Sequence, residues 1–263
     1  MDPGHRTLAM NRKLLENWKR VQQRIQDACH RARRSPGSVT LVAVTKTAPL
    51  DLIRALIENG ATDLGENRVH ELTRRTAMVT EWIARRAWDD SAHKLAAPKW
   101  HMIGHLQRNK VRLVLPCVDL IHSVDSLRLA EEIDAEAGRL GKKMSVLLEV
   151  NASGESSKSG VAVAATTHLA EQVHSLPNVE LRGLMSMAPL TNDQGVIRQT
   201  FERVRELFDE IVSDRTCGPA FKELSLGMSN DFEFGIEAGA TCVRIGSALF
   251  EGIELAPEPA NVD

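Results

Sequence analysis

The chain has 263 residues, of which 43% are hydrophobic and 26% are charged. This composition is typical of a folded globular protein and excludes a disordered or collagen-like chain. The formal net charge of −2 shows no basic excess of the kind that nucleic-acid-binding domains carry. No apolar run approaches the roughly 18 residues that a membrane span needs. We therefore expect neither a nucleic-acid partner nor a membrane partner.

The cysteines and the first residues favour a cytoplasmic protein. Cys29, Cys117, Cys217 and Cys242 are widely spaced and form no C-x-x-C pair, which fits neither a disulfide framework nor a zinc knuckle. The segment Met1-Asp2-Pro3-Gly4-His5 does not begin the pattern of a secretory signal peptide. We expect reduced thiols and a cytoplasmic location.

The first predicted element is an N-terminal helix over residues 8–33. Leu14, Trp18 and Val21 are spaced by four and three residues, which places them on one helical face. The segment Ser35-Pro36-Gly37 predicts the end of this helix.

Beyond this helix, short apolar runs alternate with amphipathic helical segments. Strands are predicted to begin near residues 39, 61, 100, 118, 145, 179, 223 and 241. Strands that alternate with helices form parallel βαβ units. Eight such units fit a closed (β/α)8 TIM barrel in the α/β class, and an open doubly wound sheet is the alternative. No Pro/Gly/Ser-rich linker divides the chain, so we expect one domain over residues 1–263.

Two segments fall outside this alternation. Residues 79–99 are longer than a connection needs and contain Asp89-Asp90-Ser91, which predicts a loop or an insertion. Residues 256–263, with Pro257 and Pro259, are predicted to form a flexible tail.

Lys46 is the first candidate site residue. Active sites of β/α barrels lie at the carboxyl ends of the strands, and Lys46 directly follows the apolar run Val42-Ala43-Val44. A lysine here either reaches solvent at the barrel rim or lies in an apolar surround. The second arrangement would favour the neutral amine, which is the nucleophile toward an aldehyde.

Polar residues after the second and third strands allow more than one interpretation. Asn67 fits a helix N-cap as well as a ligand contact. His101 and His105 would share a face if helical and could then bind zinc, but they lie across a strand end with no acidic or cysteine partner nearby. We favour packed or hydrogen-bonded histidines.

The last two loops predict a phosphate site. Gly227 and Ser229 follow the seventh strand, and Gly246 and Ser247 follow the eighth. Glycines allow close approach of the backbone, while free N–H groups and hydroxyls suit a phosphate. Barrel phosphate sites use these same two loops, although the glycines could also serve only as turns. Combined with the lysine after the first strand, the loops suggest pyridoxal 5′-phosphate (PLP).

The chain resembles the pyridoxal phosphate homeostasis proteins, also called the proline synthetase co-transcribed homologues. Their fold is similar to the N-terminal barrel of alanine racemase. The similarity spans residues 43 to 247 in order. The matching segments are Ala43-Val44-Thr45-Lys46-Thr47, Leu64-Gly65-Glu66-Asn67, the run from Trp100 to Lys110, His122-Ser123-Val124-Asp125, Glu149-Val150-Asn151 to Lys158-Ser159-Gly160, Gly183-Leu184-Met185-Ser186-Met187, Leu226-Gly227-Met228-Ser229-Asn230-Asp231-Phe232 and Val243-Arg244-Ile245-Gly246-Ser247.

The resemblance implies a role for each residue of a cofactor pocket. Lys46 would carry the cofactor as a Schiff base, Arg244 would face the pyridine nitrogen, and Asn67 would line the pocket. The phosphate group would be held by Ser229, Gly246 and Ser247. Family members usually have Gly-Glu-Asn-Tyr where this chain has Arg68 after Asn67, and the segment 79–99 is longer than usual.

The resemblance implies a non-catalytic carrier in intracellular PLP (vitamin B6) homeostasis, with PLP-requiring apoenzymes as candidate recipients. A PLP-dependent amino-acid racemase is the alternative. An arginine beside the pyridine nitrogen keeps that nitrogen unprotonated and weakens the ring as an electron sink. A sugar-phosphate enzyme is a third possibility, and only Glu66 and Glu149 could supply its acidic groups.

A two-base racemase also needs an acid/base group opposite the lysine. In alanine racemases this group is a tyrosine from a second domain, whereas the present sequence contains no tyrosine and we expect no such domain after residue 252. A histidine or cysteine could substitute, with His101, His105 and Cys242 as the first suspects.

Overall fold

Eight parallel strands close into a ring at the centre of the computed structural model, which describes residues 3–89, 95–154 and 159–255. The ring closes where β1 (Thr40–Val44) pairs in parallel with β9 (Cys242–Ile245). The predicted (β/α)8 TIM barrel is therefore confirmed. The other barrel strands are β2 (Asp63–Glu66), β3 (Lys99–Met102), β4 (Leu120–Val124), β5 (Met144–Asn151), β7 (Val179–Ser186) and β8 (Glu223–Ser225), and a two-residue strand, β6 (Val161–Ala162), pairs with β5.

Helices connect the strands on the outside of the ring. They are α1 (Pro3–Arg31), α2 (Leu50–Glu58), α3 (Val69–Asp89), α4 (Val111–Val114), α5 (Leu127–Arg139), α6 (Val163–His174), α7 (Gln194–Ser213) and α8 (Phe232–Glu237). In the described part of the chain, none of these helices is long and apolar enough to cross a membrane.

The segment 79–99 was predicted to be a loop or an insertion, and a loop is wrong for residues 79–89 because α3 continues through Asp89. Val79 is fully buried and Trp82 and Ile83 pack against the core, so the buried helical face continues beyond residue 79, where the loop was predicted to begin. Residues 90–94 and the predicted tail at 256–263 lie outside the described residues.

The predicted N-terminal helix exists as α1, although it begins at Pro3 and ends at Arg31 instead of spanning 8–33. It packs against α2 and α8, which flank the seam between β1 and β9. Asn17 is 1% exposed, and its Nδ2 donates hydrogen bonds to the carbonyl oxygens of Leu249 (3.0 Å) and Glu251 (2.8 Å). The added helix thus fixes the chain that follows β9.

The barrel interior differs from the main core. The large apolar core lies between the strands and the helices, whereas Leu120, Leu147 and Met185 form a small separate cluster on β4, β5 and β7. Much of the remaining interior is polar. A polar interior requires hydrogen-bond partners for each buried group.

A buried ion pair supports the end of β1. Glu66 is fully buried, and its Oε1 lies 2.6 Å from Nη1 of Arg75. The same carboxylate accepts a hydrogen bond from the Thr45 hydroxyl, while Arg75 donates to the carbonyl oxygens of Thr45 and Lys46. Burial raises the pKa of Glu66, and the charge of Arg75 and the bond from Thr45 partly oppose this shift. Arg75 therefore links α3, β2 and the backbone of Lys46.

We predict that Arg75→Met lowers the free energy of unfolding by about 3–5 kcal/mol, because it leaves the buried Glu66 carboxylate unpaired. Urea denaturation followed by circular dichroism measures the loss. The matched control is Arg85→Met on the same helix, where the arginine is 75% exposed and pairs with Glu81. Its cost should stay within about 0.5 kcal/mol. Equal stabilities of the two variants would contradict the prediction.

Candidate functional site

The strand order brings the predicted site residues to one end of the barrel. β1 lies between β2 and β9, with Val44 opposite Gly65 and Ala43 opposite Ile245, and β8 pairs with β9. The carboxyl ends of these parallel strands meet at one opening, which we call the C-terminal mouth. The six predicted residues all lie in or directly beyond these four strands: Lys46, Asn67, Ser229, Arg244, Gly246 and Ser247.

Lys46 lies two residues beyond the end of β1, in a turn at the C-terminal mouth. The Thr45 amide donates to the Gly65 carbonyl (3.0 Å), and the Ala48 amide donates back to the Thr45 carbonyl (2.8 Å). The Lys46 side chain is exposed. The apolar surround considered from the sequence is therefore wrong, and the rim position is the one observed.

Asn67 lies half-buried directly after β2. Its side-chain Oδ1 is buried and has no hydrogen-bond partner among the described residues. A Cβ on Gly104 would lie 2.2 Å from the Asn67 carbonyl oxygen, so the loop after β3 can approach only because that residue is glycine. A buried acceptor without a partner is a position where a ligand donor would be favourable.

The two predicted phosphate loops are joined by one side chain. Oγ of Ser229 accepts hydrogen bonds from the amides of Gly246 and Ala248, each at 3.2 Å. Ser229 is 9% exposed, whereas Ser247 is exposed. Gly227 has a φ of +90°, a conformation that favours glycine, in the turn that leads to Ser229. The Ser229 O–H remains available to donate to an anion.

Arg244 places a guanidinium inside the barrel and is 3% exposed. Its Nη1 donates to the carbonyl (2.8 Å) and the hydroxyl (2.5 Å) of Ser225, and its Nη2 donates to the Ser186 carbonyl (3.0 Å). These bonds leave Nε–H and one Nη2–H without an acceptor among the described residues. Burial lowers the pKa of Arg244, although Asp231 and Glu149 act in the opposite direction.

Glu149 is an acidic group of this site that the sequence analysis considered only for a sugar-phosphate enzyme. It lies two residues beyond Leu147 on β5, so alternation directs both toward the barrel interior. Glu149 is 4% exposed, and burial raises its pKa. Asp125 raises the pKa further, while Arg244 and His105 lower it. The alternation along β5 was the signal that could have identified it.

The donor set matches the chemistry of PLP. Lys46 offers an amine for the aldehyde, Ser229 offers a hydroxyl beside the Gly246 amide for the phosphate, and Arg244 offers free N–H groups for the ring nitrogen. The unpaired Oδ1 of Asn67 offers an acceptor. The residues present therefore fit the cofactor that the sequence suggested.

Comparison with known proteins identifies the family of this chain. The profile of the family "Alanine racemase, N-terminal domain" matches residues 12–253. A pyridoxal phosphate homeostasis protein of Aquifex aeolicus is 40% identical over 89% of this chain and 96% of its own length. The one from Escherichia coli K12 is 37% identical, over 90% and 95% of the two chains.

A solved structure extends the comparison to a bound ligand. The structure of PipY from Synechococcus elongatus PCC7942 with PLP bound is 33% identical and has a TM-score of 0.72. The match covers 86% of this chain and 99% of PipY. On these findings, the chain belongs to the pyridoxal phosphate homeostasis proteins, within the family described by the alanine racemase N-terminal domain.

Proposed function

We propose that this protein binds PLP at the C-terminal mouth, holds it as a Schiff base on Lys46 and serves in intracellular PLP homeostasis without catalytic turnover. The convergence of Lys46, Ser229 and Arg244 on one mouth carries the proposal. The PLP-bound structure of PipY supports it, because that relative matches almost the whole barrel.

Each group of the chain has a defined task in this proposal. When bound, PLP supplies an aldehyde that reacts with an amine and a ring that withdraws electrons. Lys46 attaches it, Ser229, Gly246 and Ser247 bind its phosphate, and Asn67 lines the pocket. Arg244 donates a hydrogen bond to the lone pair of the ring nitrogen, and the nitrogen therefore stays unprotonated.

Two features support binding without turnover. An arginine donor keeps the ring nitrogen unprotonated and so weakens electron withdrawal. Of the suspected second bases, His101 and Cys242 line the cavity at the opposite end of the barrel from Lys46, and burial raises the pKa of Cys242 to about 12. His105 is exposed and faces Asp125 at 3.6 Å. A two-base exchange would therefore depend on His105 or Glu149.

We also propose that the protein acts in the cytoplasm and delivers PLP to apoenzymes at the C-terminal mouth. Burial raises the pKa of Cys217 to about 11 and that of Cys242 to about 12, so both side chains stay protonated thiols. Met187, Leu190 and Met228 are exposed apolar side chains in the loops after β7 and β8. Exposed apolar groups of this kind favour contact with a protein partner.

We predict that PLP attaches to Lys46 and gives the near-visible absorption band of a lysine Schiff base. Borohydride reduction and peptide mapping should place the pyridoxyl group on Lys46, and Lys46→Ala should lose the band. The matched control is Lys110→Ala, which removes an exposed lysine that follows β3. A label chiefly on Lys99, Lys110 or Lys158 would contradict the assignment.

Ser229→Ala is expected to weaken PLP binding by about 10- to 100-fold and pyridoxal binding much less, since a hydrogen bond to a charged group contributes about 1.5–3 kcal/mol. Fluorescence titration with both ligands measures the difference. Ser229 is a cleaner probe than Gly246, because a Cβ on Gly246 would lie 3.3 Å from Cβ of Val44 and disturb β1. Equal losses for the two ligands would place the phosphate elsewhere.

We also predict that the PLP-loaded protein does not racemise amino acids at a useful rate. With L-alanine in deuterated water, the PLP-loaded protein should exchange the α-proton slowly and retain configuration, because one face of the substrate lacks a positioned acid/base worth roughly 10²–10⁴-fold in rate. Chiral chromatography and mass spectrometry measure both outcomes. Rapid formation of D-alanine that is lost in both Lys46→Ala and Glu149→Gln would instead establish a racemase with Glu149 as its second base.

A further inference from the structure

A continuous row of hydrogen bonds crosses the barrel interior below Arg244. The Arg244 guanidinium donates to Oγ of Ser225, which lies 3.0 Å from Nδ1 of His122. Nε2 of His122 lies 2.9 Å from Nδ1 of His101, and Nε2 of His101 lies 3.0 Å from Oδ1 of Asp63. Together these five residues connect β9, β8, β4, β3 and β2.

Because the row is buried, the loss of any one of its hydrogen bonds would be costly. Ser225 and His122 are fully buried, and Asp63, His101 and Arg244 are 7%, 5% and 3% exposed. A buried polar network is favourable only when every member is satisfied, since an unpaired group in the interior keeps its full desolvation cost.

With both imidazoles neutral, the chemistry of the two ends gives the row a single direction. Arg244 can only donate, and an ionised Asp63 can only accept. Ser225 therefore accepts from Arg244 and donates its proton to Nδ1 of His122. His122 then donates through Nε2 to Nδ1 of His101, and His101 donates through Nε2 to Asp63. This direction requires each imidazole to carry a single proton, on Nε2.

The charge states agree with this direction. Burial lowers the pKa of His122 well below its ordinary value, and the charge of Arg244 lowers it further. Burial of Asp63 favours its neutral form, but hydrogen bonds from His101 and Thr62 outweigh this and leave the pKa of Asp63 lowered. Asp63 thus stays an anion and His122 stays neutral.

The far end of the row opens toward solvent. Asp63 and His101 line a cavity of about 680 Å³ at the N-terminal mouth, where the barrel strands begin. Lys99, Asp119 and Glu223 also line this cavity. The ring-facing arginine at one mouth is therefore connected to an anion at the other.

We propose that Asp63, His101, His122 and Ser225 are positioning residues that orient Arg244 toward the ring nitrogen of PLP. This inference rests on the proposed function. In this direction the Ser225 proton points to His122, so a lone pair of Ser225 faces Arg244. Loss of the Asp63 charge removes the reason for this direction, because a neutral amide can either donate or accept.

The test compares PLP with 1-deaza-PLP, an analogue in which carbon replaces the ring nitrogen. In Asp63→Asn, PLP should bind about tenfold more weakly, as expected for one lost hydrogen bond, whereas the affinity for the analogue should not change. Asp119→Asn is the matched control. It removes a carboxylate from the same cavity, and its amide oxygen can still accept from the Trp100 amide, at 2.8 Å in the wild type. The control should bind both ligands as the wild type does.

A second measurement uses the cofactor-free wild type and needs no variant to fold. Histidine ¹⁵N NMR should show His101 and His122 both protonated on Nε2 and not on Nδ1. A proton on Nδ1 of either residue would overturn the proposal. Equal losses for PLP and its analogue in Asp63→Asn, or no loss for either, would also overturn it. Failure of the wild type to bind PLP would instead reject the proposed function, while the NMR result would still report on the row itself.

Discussion

The parallel pairing of β1 with β9 is the constraint on which the candidate site depends. These strands are separated by almost the whole barrel sequence, yet Val42 lies opposite Arg244 in their register. That register sets Lys46 beyond one strand end beside Gly246 beyond the other. Because loop-closure entropy opposes such a distant contact, it has to be stabilised by packing from outside.

Two elements provide that packing, one on each side of the seam. Outside the barrel, α1 covers the seam and its Asn17 holds the backbone that follows β9. On the β2 side, Arg75 reaches from α3 and binds the carbonyl oxygen of Lys46. The exposed lysine thus extends from a rigid backbone, so its amine can move while its attachment point remains fixed.

Sequence patterns were sufficient to predict the barrel and to bring the candidate site residues to one mouth. Strand runs alternate with helical segments, and polar residues such as Lys46 and Ser229 follow the runs directly, so topology alone places them at one mouth. The loop predicted within 79–99 was wrong because Asp89 ends a helix whose buried face continues past Val79. Local turn residues could not reveal where that face meets the core.

The polar row through the interior could not be predicted from the sequence. Asp63, His101 and His122 lie on three strands, and their contacts depend on register and on side-chain direction between strands that are distant in sequence. The same holds for the exposure of Lys46, since the apolar run before it describes the strand but not the turn that follows. The alternation of side chains along a strand shows which face of the sheet a residue occupies. It does not show which residue on another strand lies within hydrogen-bond distance.

The exposure of Lys46 bears directly on the proposed function. A carrier must release PLP, and release from a lysine requires an incoming amine or water to reach the Schiff-base carbon. A rim position permits this approach, whereas enzymes that process bound substrates usually close the site to exclude water. In the proposed complex, Arg244 and the Ser229 loops would hold the ring and phosphate from the enclosed side. The proposed arrangement would therefore combine firm recognition of the cofactor with an accessible covalent bond, which is the combination that storage and delivery require.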